Sequence, residues 1–231
     1  MVTVSRTRTE RAGATRELIL STAERLFAEH GLLAVSNRGI GVAAGQGNNT
    51  AVGYHFGTRT DLVRAIVRAH TDRLEPLWAR AVEEAGDPAG ADDWIARLVR
   101  PVTRHLADLG VPSWFARFSA QVMTDPGLRV IMTEETLTSP PLRRVLLGLR
   151  ASLPDLPPRV RAEREDMTRH LIVHTCAERE RALAEETATP RCSWEDTATG
   201  LVDALTGIWL APATPAEGHD HDAATTKEER P

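Results

Sequence analysis

Lysine is almost missing from this sequence: Lys227 is the only one in 231 residues, and arginine carries the rest of the positive charge. The guanidinium suits paired contacts to phosphate, but such a bias follows as readily from genome composition and decides nothing here. Aromatics are only 4% of the chain, so a core has to be built mainly from aliphatic side chains; at 42% hydrophobic there are enough of them. Cysteine is scarce too. Cys176 and Cys192 form neither a disulfide framework nor a metal spacing, which suits a reducing compartment. No apolar run approaches the roughly 18 residues of a membrane span. Met1 to Gly13 is polar and arginine-bearing, without the apolar segment of a secretory signal. These absences predict a soluble cytoplasmic protein with no membrane segment. No Ser/His/Asp set, phosphate loop or metal set stands at usable spacing, so neither an enzyme nor a cofactor is expected.

The net charge of −4 conceals an asymmetry. Residues 1–64 hold eight arginines (6, 8, 11, 16, 25, 38, 59 and 64) against five acids, a net +3, which leaves −7 for the remainder. Positive charge gathered in one segment is the footprint that phosphate binding requires.

Alternation of apolar and polar residues is missing as well, and helical periodicity dominates. Thr15 is a candidate N-cap for a helix over about 16–30, with Leu18, Ile19, Ala23, Leu26 and Phe27 on one side and Gly31 at its end. Ser36 caps a second helix that Gly45 closes, and residues 48–55 form a third. Thr58-Arg59-Thr60-Asp61 opens a fourth as a capping box. Glycine and proline breaks divide the rest into helices near 58–85, 91–109, 112–124, 127–136, 139–152, 157–187 and 193–210, with Pro76 and Pro101 expected to kink or restart two of them. The polar, aperiodic residues 212–231 read as a disordered tail.

Residues 36–59 therefore form two short helices joined by a glycine turn, as a helix-turn-helix needs. Asn48, Asn49 and Thr50 fall at the start of the helix that enters the major groove, where an asparagine amide pairs with N6 and N7 of adenine; one of the three is equally an N-cap. Gln46 in the turn is a similar candidate. Arg59 stands beside free backbone N–H groups at the start of the fourth helix, a favourable place for a phosphate. Arg16, with Arg6, Arg8 and Arg11, belongs to a basic arm able to reach phosphates or the minor groove.

Several of these residues carry a more specific resemblance. Thr15-Arg16, Ala23 with Leu26-Phe27 and Gly31, Ile40 with Ala43-Ala44-Gly45, and Tyr54-His55-Phe56-Gly57-Thr58-Arg59 followed by Asp61-Leu62 resemble the N-terminal domain of TetR-type transcriptional regulators. Two departures stand out: the run from Gly45 to Phe56 is one residue longer than the family's commonest spacing, and glycines 39, 41, 47 and 53 weaken the second and third helices. The resemblance implies phosphate contacts from Tyr54 and His55, with a core-packed tyrosine and a solvated histidine as the alternative, a DNA contact from Arg38 in place of a plain surface arginine, and a buried Phe56.

It implies an all-α protein in four parts: a basic flexible arm (1–14), a helix-turn-helix domain (15–58), a helical ligand-binding and dimerisation domain (59–211) and the tail (212–231). The function implied is a repressor that binds a palindromic operator in double-stranded DNA as a homodimer and is released by a small-molecule effector. Leu171, Ile172, Leu201, Leu205 and Trp209 on the two late helices would form the dimer interface. Two recognition helices about 34 Å apart then read successive major grooves. Trp94, His105, Trp114, Phe115, Phe118 and Met123 are candidates for the effector pocket, with plain core as their alternative. His170 and His174 share a helix face, but with no third ligand at a recognisable spacing no metal is expected; His219-Asp220-His221-Asp222 reads as solvated. The competing reading is a helical-bundle protein, enzyme or scaffold, that has kept a helix-turn-helix without specific operator binding.

Overall fold

The computed structural model describes residues 8–47, 50–83, 86 and 89–213, and among these every regular element is a helix. The first, α1 (Arg8–His30), buries Ile19, Leu20, Ala23 and Phe27 along one side. It begins well before Thr15, so Arg8, Arg11 and Arg16 lie on a helix and not on a flexible arm; Arg6 is outside the described residues. Gly31 ends α1 at φ +84°, a conformation that glycine adopts without strain.

Two short helices follow. In α2 (Asn37–Ala43) the Ser36 hydroxyl accepts the Gly39 N–H at 3.0 Å, and Ile40 turns inward. α3 (Ala51–Phe56) starts three residues later than the periodicity predicts, and buries Ala51, Val52 and Phe56. Six or seven residues are too few for a helix to stand alone in water, so both depend on packing against α1 and α4 (Arg59–Glu83).

Six more helices follow among the described residues: α5 (Ala91–Leu109), α6 (Phe115–Thr124), α7 (Pro126–Thr136), α8 (Pro140–Ser152), α9 (Pro158–Ala184) and α10 (Trp194–Leu210). Sequence explains their starts. Proline occupies the first turn of α7, α8 and α9, where its missing N–H costs nothing. Ser193 and Asp196 form a reciprocal capping box on α10. Pro76 and Pro101 do not break their helices. Pro76 and Asp72, whose carbonyl loses its usual donor, are both exposed, on the side of α4 open to solvent; around the buried Pro101, packing of α5 against α4, α8 and α10 holds the helix together.

One apolar core runs from Ile19 and Phe27 of α1 through Ile66 of α4 and Phe118 of α6 to Leu205 and Trp209 of α10. A second, smaller cluster of Leu74, Trp78, Val82, Leu98, Leu142 and Val145 joins α4, α5 and α8. Two buried arginines of α9 hold α10 at its ends: Arg164 donates to the carbonyls of Trp209 (2.9 Å) and Ala211 (2.7 Å), and Arg179 to those of Arg191 (2.6 Å) and Cys192 (3.1 Å).

This arrangement revises two expectations. Leu201, Leu205 and Trp209 are buried within the chain itself, because α10 turns its apolar stripe onto α5; Leu171 and Ile172 are half-buried and pack on the same core. Phe115, Phe118 and Met123 are likewise core. Trp94 lies across Gly148, and half-buried Trp114 occupies the N-cap position of α6. His105 is buried too, its Nε2 2.8 Å from Nδ1 of His70, whose ring stacks on Phe115 at 3.6 Å. The aromatic stripe near 112–124 is therefore interior packing. The tail from residue 214, with the His219–Asp222 run, lies outside the described residues.

Candidate nucleic-acid interface

The buried side of α3 dictates its free side. With Ala51, Val52 and Phe56 inward, Thr50, Gly53 and Tyr54 fall on one exposed stripe, and Tyr54 is 82% exposed. Its ring therefore lies open to a partner outside the chain on most of its surface. His55 stands edge-on to it, ring centroids 5.1 Å apart. Below them the Arg16 guanidinium lies 4.8 Å from the Phe56 ring centre, within cation–π range. Arg16, His55, Phe56, Asp61 and Arg64 line one cleft of about 300 Å3. On α2, Arg38 is exposed, as is Val42 (64%), an apolar side chain of the kind that meets a thymine methyl. Val42 gave no signal in the sequence because an apolar residue in a helix reads as core.

The turn between α2 and α3 uses up part of its own chemistry. Gly45 takes φ +66°, and the Gln46 amide donates to the Ala44 carbonyl at 3.0 Å, so its Nε2 is engaged within the turn. Asn48 and Asn49 lie outside the described residues. Thr50 is at the N-cap position of α3, but its side chain makes no capping bond to that helix.

Arg59 is turned inward, contrary to its expected place at a phosphate. Its guanidinium donates to the carbonyls of Leu32 and Val35 and lies 5.7 Å from the centre of the Phe27 ring, tying the α1–α2 loop to α4. The N-terminus of α4 is already taken by an acid. The Asp61 carboxylate accepts the Thr58 hydroxyl at 2.6 Å and the Thr58 N–H at 3.1 Å, bonds that, with nearby Arg64, hold its carboxyl below the usual carboxylate range. A negative side chain in that position repels phosphate.

Connections from these helices to the rest of the protein run through charged pairs far apart in sequence. Glu24 of α1 lies 2.9 Å from Nε2 of His70 on α4. Glu135 of α7, 3% exposed, accepts Arg64 Nη1 at 2.7 Å and Arg68 Nε at 2.9 Å, both from α4. Nothing in the local pattern marks either acid, since their partners lie 46 to 71 residues away.

No group of three metal-ligating side chains occurs among the described residues, and the rings of His170 and His174 stand 6.2 Å apart. No described helix is long and apolar enough to cross a membrane.

Residues 19–66 match the family described as bacterial regulatory proteins of the tetR family, and residues 96–207 match the tetracyclin repressor-like C-terminal domain. No curated protein matches the sequence. Among solved structures, a TetR-family regulator from Rhodococcus sp. superposes with a TM-score of 0.55 at 18% identity, over 85% of this chain and 99% of that one. One from Marinobacter aquaeolei gives 0.53 at 14%, over 87% and 96%, and the regulator PfmR from Thermus thermophilus gives 0.50 at 17%, over 81% and 96%. At such identities the likeness is one of fold.

Proposed function

Because the chain belongs to the TetR family of transcriptional regulators, we propose that it is a cytoplasmic, ligand-responsive repressor. In this reading it grips a palindromic operator as a homodimer, and a small molecule releases it. The observation that carries the reading is the open stripe of α3, Thr50, Gly53 and Tyr54, flanked by His55 and by exposed Arg38 on α2. Tyr54, His55, Arg16 and Arg38 hold the phosphate backbone. Asn48, Asn49 and Thr50 are assigned to the bases, while Gln46 and Arg59 shape the unit that presents them.

The dimer is assigned to the outer faces of α9 and α10, since Leu201, Leu205 and Trp209 are spent inside. A cleft of about 730 Å3 between these helices, lined by Leu171, His174, Thr175, Gly200 and Ala204, suits a partner's helix.

Fluorescence anisotropy with the DNA upstream of the chain's own gene tests the reading. Tight, sequence-selective, salt-sensitive binding is expected, with two protomers per site by light scattering. Arg38→Ala should weaken binding about tenfold and reduce the slope of log affinity against log salt by about one, the signature of a lost phosphate contact. Arg59→Ala should weaken it through a loosened head and leave the slope unchanged. Binding indifferent to sequence at low salt overturns the proposal.

A further inference from the structure

An effector-responsive regulator needs a place for its effector, and the structure holds one away from the aromatic stripe of α6. Between α5, α7, α8, α9 and the end of α10 lies a cavity of about 470 Å3, within the usual range of small-molecule sites. Its walls are apolar, built from Leu98, Leu146, Leu149, Ile172, Val173 and Trp209. Three arginines also line it (150, 161 and 169), against one acid, Glu165. Arg161 stands 3.7 Å from the fully exposed Asp155, and Arg169 pairs with Asp166 one turn away. Arg150 makes no ion pair or hydrogen bond among the described residues. The Nε of Arg169 is buried and has no acceptor, a donor left unmet by the chain itself.

We propose that this cavity binds an anionic amphiphile, a carboxylate on an unbranched hydrocarbon chain. The carboxylate lies at the arginines, which supply charge and forked donors; the chain lies between Leu98, Leu149, Ile172 and Trp209. A neutral or cationic head group would leave Arg150 without an anion and the buried Nε of Arg169 without an acceptor beside an apolar body. The assignment rests on the reading of the protein as a ligand-responsive regulator and names the class of its ligand.

The cavity also borders the helix that is tied to α4. Thr133 of α7 and Leu137 at its C-cap line it, and between them Glu135 faces the other way, onto Arg64 and Arg68 of α4. α4 begins at Arg59, which is bonded to the α1–α2 loop. A chain that wedges α7 away from α9 shifts the acid that holds α4, and so biases the position of α3.

Titration calorimetry on the full chain, with decanoate, 1-decanol and decyltrimethylammonium below micellar concentrations, tests the site without DNA. Decanoate should bind once per chain and at least tenfold tighter than either other probe. Octanoate should bind more weakly by about fourfold per methylene lost, corresponding to about 0.8 kcal/mol each. Arg150→Gln, at an exposed position, should bring decanoate to within about threefold of decanol, and Leu146→Trp should block all three. Equal affinity for the three head groups, or decanoate binding unchanged by both variants, overturns the site. In the operator assay decanoate should release the wild type, whereas Glu135→Gln should bind decanoate as tightly yet stay on the DNA. Decanoate that binds without releasing the wild type overturns the coupling. A chain that binds no operator at all overturns the regulator reading, and calorimetry still decides the cavity.

Discussion

The DNA-facing helices and the body of this protein use the same residue types in opposite ways. In α2 and α3 the polar bonds are local: Ser36 to Gly39, Gln46 to Ala44 and Thr58 to Asp61. The side chains that carry chemistry, Arg38 and Tyr54, are left to solvent. In the body several charges are buried and matched over long range. Glu180 of α9, 1% exposed, accepts the Ser113 hydroxyl at 2.9 Å and the N–H groups of Ala116 at 3.2 Å and Arg117 at 2.9 Å, closing the start of α6. Function in the head and stability in the body should therefore respond to different substitutions.

The strongest test of that division is Glu180→Ala. It strands a hydroxyl, two N–H groups of the α6 N-terminus and the largely buried Arg117 guanidinium. Removing one side of a buried pair costs about 3–5 kcal/mol, to be read from urea unfolding. Operator affinity per folded molecule should stay within a few-fold, and a large specific loss of DNA binding with full stability would break the comparison.

Acid should act on the body in a similar way. Burial, reinforced by the charges of His70 and Arg73, lowers the His105 pKa from 6.5 to about 4. The folded protein keeps this ring neutral while the unfolded chain takes up a proton near pH 6.5. The unfolded state thus binds more protons between those values, and stability falls as pH drops through the window, levelling off below about 4. The full effect is about 3 kcal/mol at about 1.4 kcal/mol per pH unit. Urea midpoints at pH 7.5 and 4.5 should differ for the wild type and differ much less for His105→Gln. An unchanged pH slope in the variant would remove His105 as the source.

How much was legible follows the same line. Residues 36–59 were readable because spacing within a few turns determines which side chains share a face, and because Ile40, Ala43-Ala44-Gly45 and Tyr54-His55-Phe56-Gly57 resemble a known family. Helix limits in the body came close wherever proline or glycine marked them, as at Asp125-Pro126 and Ser139-Pro140. Arg59 misled because an arginine at a helix start looks like a phosphate contact, and only tertiary structure shows Leu32 and Val35 beneath it. The apolar stripe of α10 was correctly seen and assigned to the wrong neighbour, since periodicity shows that a face is buried and not what buries it. Glu135, Glu180 and Arg164 had no local signature at all.

The smallest effects draw the sharpest distinction, between two glycines. At Gly148 on α8 an added Cβ would sit 2.3 Å from the Trp94 ring. Alanine there must push the indole aside, at about 1–3 kcal/mol of stability; the chain itself requires this glycine. At Gly53 on α3 the same Cβ meets nothing within 4 Å, and the residue lies in the middle of the open stripe between Thr50 and Tyr54. Fold alone would favour alanine, which stabilises an exposed helical position by about 0.5–1 kcal/mol. A glycine kept where the protein has no need of it points to a partner whose surface comes close to the backbone. Gly53→Ala should therefore raise the midpoint of thermal unfolding by a few degrees and weaken operator binding several-fold, as measured by anisotropy. A variant that is more stable and binds DNA as well as the wild type would mean that the Gly53 side of α3 does not lie in the groove.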